Sequence, residues 1–194
     1  NMHSLYIWNN KEFKIGFALI NDSWRCSPDL KRDQHFIGHD QLFKARNFFI
    51  KEETDLNLAI FHHPLSALNG DEQSEIKNIL KTKNFDIAIF GHNHKYEAER
   101  LISGHGGYLS INGRSAFSNP SETSSLYQPG YNLLDLDPHQ KTYKISARKF
   151  IKGSGYRFDK DTDSIPNGEE SGSLPQPERL YALAEDTNNE DENL

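Results

Sequence analysis

Over its first 150 residues the chain alternates short apolar runs with polar turns. Residues 4–8 and 13–20 flank the polar stretch Asn9-Asn10-Lys11-Glu12 and predict two strands joined by a turn. Residues 21–39 mix Pro28, Cys26 and charged positions and read as loop. Leu42, Ala45, Phe49 and Ile50 recur at helical spacing over residues 41–51. Residues 56–61 form a second apolar run, residues 66–70 a loop, and Asp71 is a plausible cap for a helix reaching Lys83 with Ile76, Ile79 and Leu80 inward. A third run, 85–90, ends at Gly91. Residues 107–112 predict a further strand, and 131–137 and 142–150 a hairpin around Pro138-His139-Gln140.

The runs 56–61 and 85–90 carry the chemistry. Both are nearly all apolar, and a helical pattern separates them, as in a βαβ unit with buried parallel strands. The first stops at His62-His63, the second at Gly91-His92-Asn93-His94. In open α/β sheets the ligand crevice lies beyond the carboxyl ends of the strands. Two neighbouring strands that deliver imidazoles to that edge describe a metal site, because neutral imidazole is a strong ligand for transition-metal dications. His92 and His94 straddle one residue, and Gly91 permits a tight exit from the strand. On residues alone the site serves a structural zinc as readily as a catalytic ion.

The sequence IFHHPL, then a helix, then IFGHNH resembles the C-terminal half of the calcineurin-like metallophosphoesterases, over about residues 14–150. In that family one strand ends in a histidine, often within HHP, and the next in a Gly-His-x-His turn. The resemblance implies an α/β fold, the C-terminal half of a metallophosphoesterase-type αββα sandwich. It implies hydrolysis of a phosphomonoester or phosphodiester, nucleases included, with two divalent metal ions (Mn²⁺, Fe or Zn²⁺). Carried over by position, His62 and His92 resemble ligands of one ion and His94 a ligand of the other. His63 is left as a support for a ligand or as a substrate-facing residue, and the roles of His62 and His63 are interchangeable at this level. No catalytic acid or base is assigned.

The same family pattern needs an Asp-x-His, a Gly-Asp and a Gly-Asn-His turn. Asp33-Gln34-His35 follows Lys31-Arg32 instead of an apolar strand, Gly70-Asp71 looks like a helix start, and Gly38-His39-Asp40 lacks the Asn. All three read as coincidences. Two dications about 3.5–4 Å apart require a bridging carboxylate, and three neutral imidazoles cannot offset their charge. The expectation is therefore that an N-terminal half of the same domain, outside these residues, supplies the other ligands. The alternative is a non-catalytic regulatory or scaffolding module that retains the fold.

Charge divides the chain in two. Residues 159–194 hold eleven acidic and two basic residues, against a whole-chain net charge of −6, which leaves about +3 on residues 1–158. Residues 1–158 are thus expected to be the domain, and 159–194 an acidic, flexible tail or linker, with a helical turn at 180–184. A mildly basic body suits a phosphate-ester substrate and leaves nucleic acid as a weakly supported partner, which the acidic tail would repel. Arg114, just past a predicted strand, is either a phosphate contact or an ordinary surface residue. The single cysteine excludes an internal disulfide, and no apolar run approaches the ~20 residues of a membrane span. No membrane contact and a cytoplasmic location are expected.

Overall fold

A computed structural model describes residues 3–23, 35–117, 123–151, 155 and 157–176. Cys26, Asp33, Gln34 and the proposed helical turn at 180–184 lie outside these residues.

β1 (His3–Asn9) and β2 (Lys14–Ile20) form the antiparallel hairpin. α1 (Asp40–Glu52) leads into β3 (Leu56–Phe61), and α2 (Gly70–Thr82) connects β3 to β4 (Ile87–Phe90). β5 (Glu97–Ser103) and β6 (Gly106–Asn112) complete a six-stranded sheet in the order β1-β2-β3-β4-β6-β5. β2, β3, β4 and β6 run parallel, so their carboxyl ends share one edge. A second sheet pairs β7 (Gly130–Asp137) and β8 (Thr142–Ile151) antiparallel. Its other members, β9 (Arg157–Lys160) and β10 (Glu169–Ser173), both pair with β8.

Alternation along the strands builds two cores. One face of the first sheet presents Ala18, Ala59 and Ala88 in register, flanked by Ile20, Phe61 and Phe90. Small residues at the centre let α1 and α2 sit close, with Phe49, Leu42, Ile76 and Leu80 fully buried against the sheet. Gly16 belongs to this device, since a Cβ there would lie 2.5 Å from the Phe49 ring. The opposite face presents Leu56, Leu58, Ile87, Leu109 and Ile111 to Tyr143, Ile145 and Ala147 of β8. The layers are therefore helices, sheet, sheet, in keeping with the expected part of an αββα sandwich. Each fully buried Leu, Ile or Phe contributes on the order of 1.5–3 kcal/mol.

Four details differ from the sequence reading. The cap of α2 is Asn69, whose side chain accepts from the Asp71 backbone N–H at 3.0 Å; Asp71 already lies in the first turn. β5 is an added edge strand with Glu97, Glu99 and Arg100 exposed, so it lacks the alternation that marks a half-buried strand.

The third difference concerns residues 159–172 of the expected tail, where acidic composition predicts a mobile segment. They fall in β9, β10 and the turn between, and Ile165 and Leu174 are buried in the inter-sheet core. The fourth explains the third. Arg114 is neither a surface residue nor a phosphate contact, because its Nε donates to Asp161 at 2.7 Å with both side chains fully buried. Arg114 also donates to the Gln128 carbonyl at 3.3 Å and to Ser164 Oγ at 3.1 Å. Lys149 pairs with Asp163. The acidic residues of this segment thus neutralise cations buried beneath it, and charge counting alone treats them as solvated.

Candidate metal centre

Two stacked aromatics form the floor of the site. Phe61 and Phe90 close β3 and β4 with ring centroids 4.9 Å apart at 20°. The chain then leaves both strands in histidine. Gly91 N–H donates to the His62 carbonyl at 3.0 Å, and a Cβ on Gly91 would lie 3.2 Å from that same oxygen. The glycine therefore holds the two exits side by side. Beyond it, Asn93 N–H donates back to the Gly91 carbonyl at 2.7 Å, and His92 and His94 adopt left-handed backbone at φ 64° and 55°. Non-glycine residues in that region cost on the order of 1–3 kcal/mol each and cluster at functional sites.

The turn brings His62, His63 and His92 together, one ring nitrogen from each lying within 4.8 Å of the others. His92 Nδ1 and His62 Nε2 are 3.4 Å apart. Bonds of about 2.0–2.1 Å in a tetrahedral zinc site place ligand nitrogens about 3.3–3.4 Å from each other, so this pair already has the spacing of one coordination edge. The donor set fits a divalent transition ion. His94 is exposed and stands outside the group, whereas His63, left open by the sequence, is inside it.

Protonation favours the same use. Burial lowers the pKa of His63, helped by His35, His62 and His92 and opposed by the Asp22 carboxylate. Burial likewise lowers that of His92, with His62 and His94 adding to it. Neutral imidazole is the form that ligates.

Two further residues reach the site: Asp22, which the sequence reading passed over, and His35, whose motif it took for a coincidence. Asp22, buried at the exit of β2, accepts from the His63 backbone N–H at 2.5 Å, and its Oδ1 lies 3.5 Å from His63 Nδ1. A carboxylate behind an imidazole fixes the orientation of the ring. The His35 ring is buried with its centroid 4.5 Å from that of His63. Both depend on anchored loops. Gln41 is bonded to the backbone of Asn21 and Ile37, and the Glu72 carboxylate accepts from the Ile37 and Gly38 N–H groups at 2.9 and 2.7 Å. The Asn69 N–H donates to the His35 carbonyl at 2.9 Å. The available signal was positional: a strand parallel to the HHP strand must deliver its exit, Asn21-Asp22, to the same edge. The other two coincidental motifs stay away from the histidines, for His39 abuts Glu75 at 3.1 Å and Gly70-Asp71 opens α2.

A family model described as calcineurin-like phosphoesterase matches residues 4–96. Among solved structures, PhoD is similar to this chain with a TM-score of 0.55 and 11% identity, over 80% of this chain and 40% of that one. Vps29 from Chaetomium thermophilum aligns with a TM-score of 0.35 and 10% identity, over 88% of this chain and 61% of its own. A Vps29 double mutant from Entamoeba histolytica aligns with a TM-score of 0.33 and 17% identity, over 80% and 58%. The chain thus spans about 40–61% of the length of these structures, and at such identities the PhoD likeness bears on the fold alone. No curated protein matches the sequence. Residues 4–96, with the sheet edge and histidine turns they build, thus resemble the calcineurin-like phosphoesterases.

Proposed function

We propose that this protein is a metal-dependent hydrolase of phosphate esters. The observation that carries the reading is the convergence of His62, His63 and His92 at the carboxyl edge of parallel strands, in residues that resemble a family handling such esters. His62 and His92 would hold one ion, with His63 as third ligand, its ring steadied by Asp22. His94 is proposed for a second ion, whose remaining ligands and bridging carboxylate would come from a part of the domain outside these residues. When bound, Mn²⁺, Fe or Zn²⁺ supplies Lewis acidity at a phosphoryl oxygen and at water. The protein's own residues orient the donors, keep them neutral and limit access of bulk water on the Phe61–Phe90 side. No helix among the described residues is long and apolar enough to cross a membrane, and the single cysteine supports a reducing, cytoplasmic setting.

The test is metal content by elemental mass spectrometry on the intact natural protein, beside hydrolysis of bis(4-nitrophenyl) phosphate with Mn²⁺. Substituting His62, His63 and His92 by Ala is expected to remove bound metal and activity together, and His94→Ala to remove one ion of two. Absence of bound metal and of hydrolysis with every divalent ion would refute the reading and favour a regulatory or scaffolding role.

A further inference from the structure

Among the described residues, one outer strand differs from the others. β1 pairs only with β2, over seven residues in unbroken register. It holds no Asp, Glu, Lys, Arg or Pro, and no bulge interrupts it. Folded proteins place such devices on exposed edges, because a free row of N–H and C=O groups is a template for another strand. The opposite edge, β5, carries Glu97, Glu99 and Arg100, and the outer strands of the second sheet hold Asp135, Asp159 and Glu169. β1 alone is unguarded.

Its free groups have a symmetric arrangement. Asn10 N–H donates to the Phe13 carbonyl at 3.2 Å, so that pair of the hairpin is hydrogen-bonded. Bonded and unbonded pairs alternate along an antiparallel ladder, which makes Trp8–Ile15, Tyr6–Phe17 and Ser4–Leu19 bonded as well. The backbone groups of His3, Leu5, Ile7 and Asn9 therefore point outwards, and these four positions are symmetric about Tyr6. A second β1, laid antiparallel with Tyr6 on a two-fold axis, sets Leu5 opposite Ile7 of the second copy and His3 opposite its Asn9. Every outward group then finds a partner, in about eight hydrogen bonds against the roughly ten of a specific interface.

The side chains agree with that register. Leu5 and Ile7, half-buried on the helix side, continue their core across the axis. On the other face Tyr6 is 59% exposed and Trp8 41%. Tyr6 meets its own copy at an unbonded pair, where side chains approach most closely, and Trp8 lies opposite the small Ser4. α1 is seated one strand in from the edge, where the Phe49 ring lies against Gly16 of β2.

We infer that β1 is a dimer interface and that its occupant is a second copy of this chain, joined edge to edge about Tyr6. The contact is isologous, so it consumes the unguarded edge of both copies, and the charged β5 edges stop further growth. The two six-stranded sheets become one, with the histidine turns of the two copies at opposite ends of its strands.

The test is the mass of the intact natural protein by sedimentation equilibrium over a wide range of concentration. A monomer–dimer equilibrium is expected. Tyr6→Lys sets two like charges opposite each other in place of two packed rings, and should raise the dissociation constant about tenfold or more. Leu133→Lys, similarly exposed on β7, should leave it unchanged. The register is read by cross-linking in a Cys26→Ser background. Tyr6 faces its copy at a Cα spacing of about 4.5 Å, within disulfide reach, so Tyr6→Cys should link to itself under mild oxidation. Ser4→Cys should link to Trp8→Cys in a mixture and not to itself. A monomer at every concentration overturns the inference, as does a dimer that tolerates Tyr6→Lys or in which Tyr6→Cys fails to link. Self-linking of Ser4→Cys, or an open-ended polymer, overturns the two-fold register.

Discussion

Removing Asp161 is the sharpest test of how the two sheets are joined. Its carboxylate and the Arg114 guanidinium are both fully buried and 2.7 Å apart. In Asp161→Ala the guanidinium loses its carboxylate partner and retains the neutral Gln128 carbonyl and Ser164 Oγ among its acceptors. Lys149, 3.9 Å from Asp161, retains Asp163. Breaking a buried pair by removing one partner costs about 3–5 kcal/mol. Against a total stability of about 5–15 kcal/mol that is a large share. Urea unfolding with an m-value of about 2 kcal/mol/M converts it into a midpoint lowered by about 1.5–2.5 M. Replacing both charges, as Arg114→Met with Asp161→Leu, is expected to cost less than the single change, because no bare charge is left behind. A loss under about 1 kcal/mol for Asp161→Ala, or a double variant as unstable as the two singles summed, would refute this account.

Three other outcomes follow from the geometry. Glu72→Ala removes a buried carboxylate that accepts two backbone N–H groups, so it should cost about 2–3 kcal/mol and raise hydrogen exchange at Ile37 and Gly38; unchanged exchange there would contradict it. Gly16→Ala forces a methyl to 2.5 Å from Phe49 and 2.7 Å from Asn57 Oδ1, and thermal unfolding should report a loss of about 1–3 kcal/mol. The metal-free chain should lose stability as pH falls below about 6.5, the ordinary histidine value. The folded state lowers the pKa of His63 and His92, the unfolded chain binds more protons through that window, and stability therefore drops towards acid. His63→Gln with His92→Gln should flatten the slope, and an unaltered slope would exclude these two rings as its source.

The sequence made the centre of the fold legible because β3 and β4 are buried on both faces and read as nearly continuous apolar runs. The hairpins β1–β2 and β7–β8 were equally plain, each with polar turn residues between alternating segments. β5 was hidden, since an exposed edge strand needs no apolar face. β9 and β10 were hidden for an electrostatic reason, as Asp161 and Asp163 answer cations that lie far away in sequence. At the site, the histidines announced themselves by following apolar strands. Asp22 and His35 did not, because their roles depend on loops pinned by Gln41 and Glu72, and pairings across 20 to 35 residues leave no local pattern.

The order of strands in the first sheet also sets the order in which it can assemble. The edge pairs β1–β2 and β5–β6 join neighbours in the chain, whereas β2, β3, β4 and β6 meet only after long crossovers. Loop closure must precede those contacts, so parallel pairings are intrinsically late on a folding route. His62, His63 and His92 belong to the central crossover and come together when it closes. A nascent chain consequently presents two finished hairpins and scattered imidazoles first, and gathers its donor set only in the step that completes the sheet.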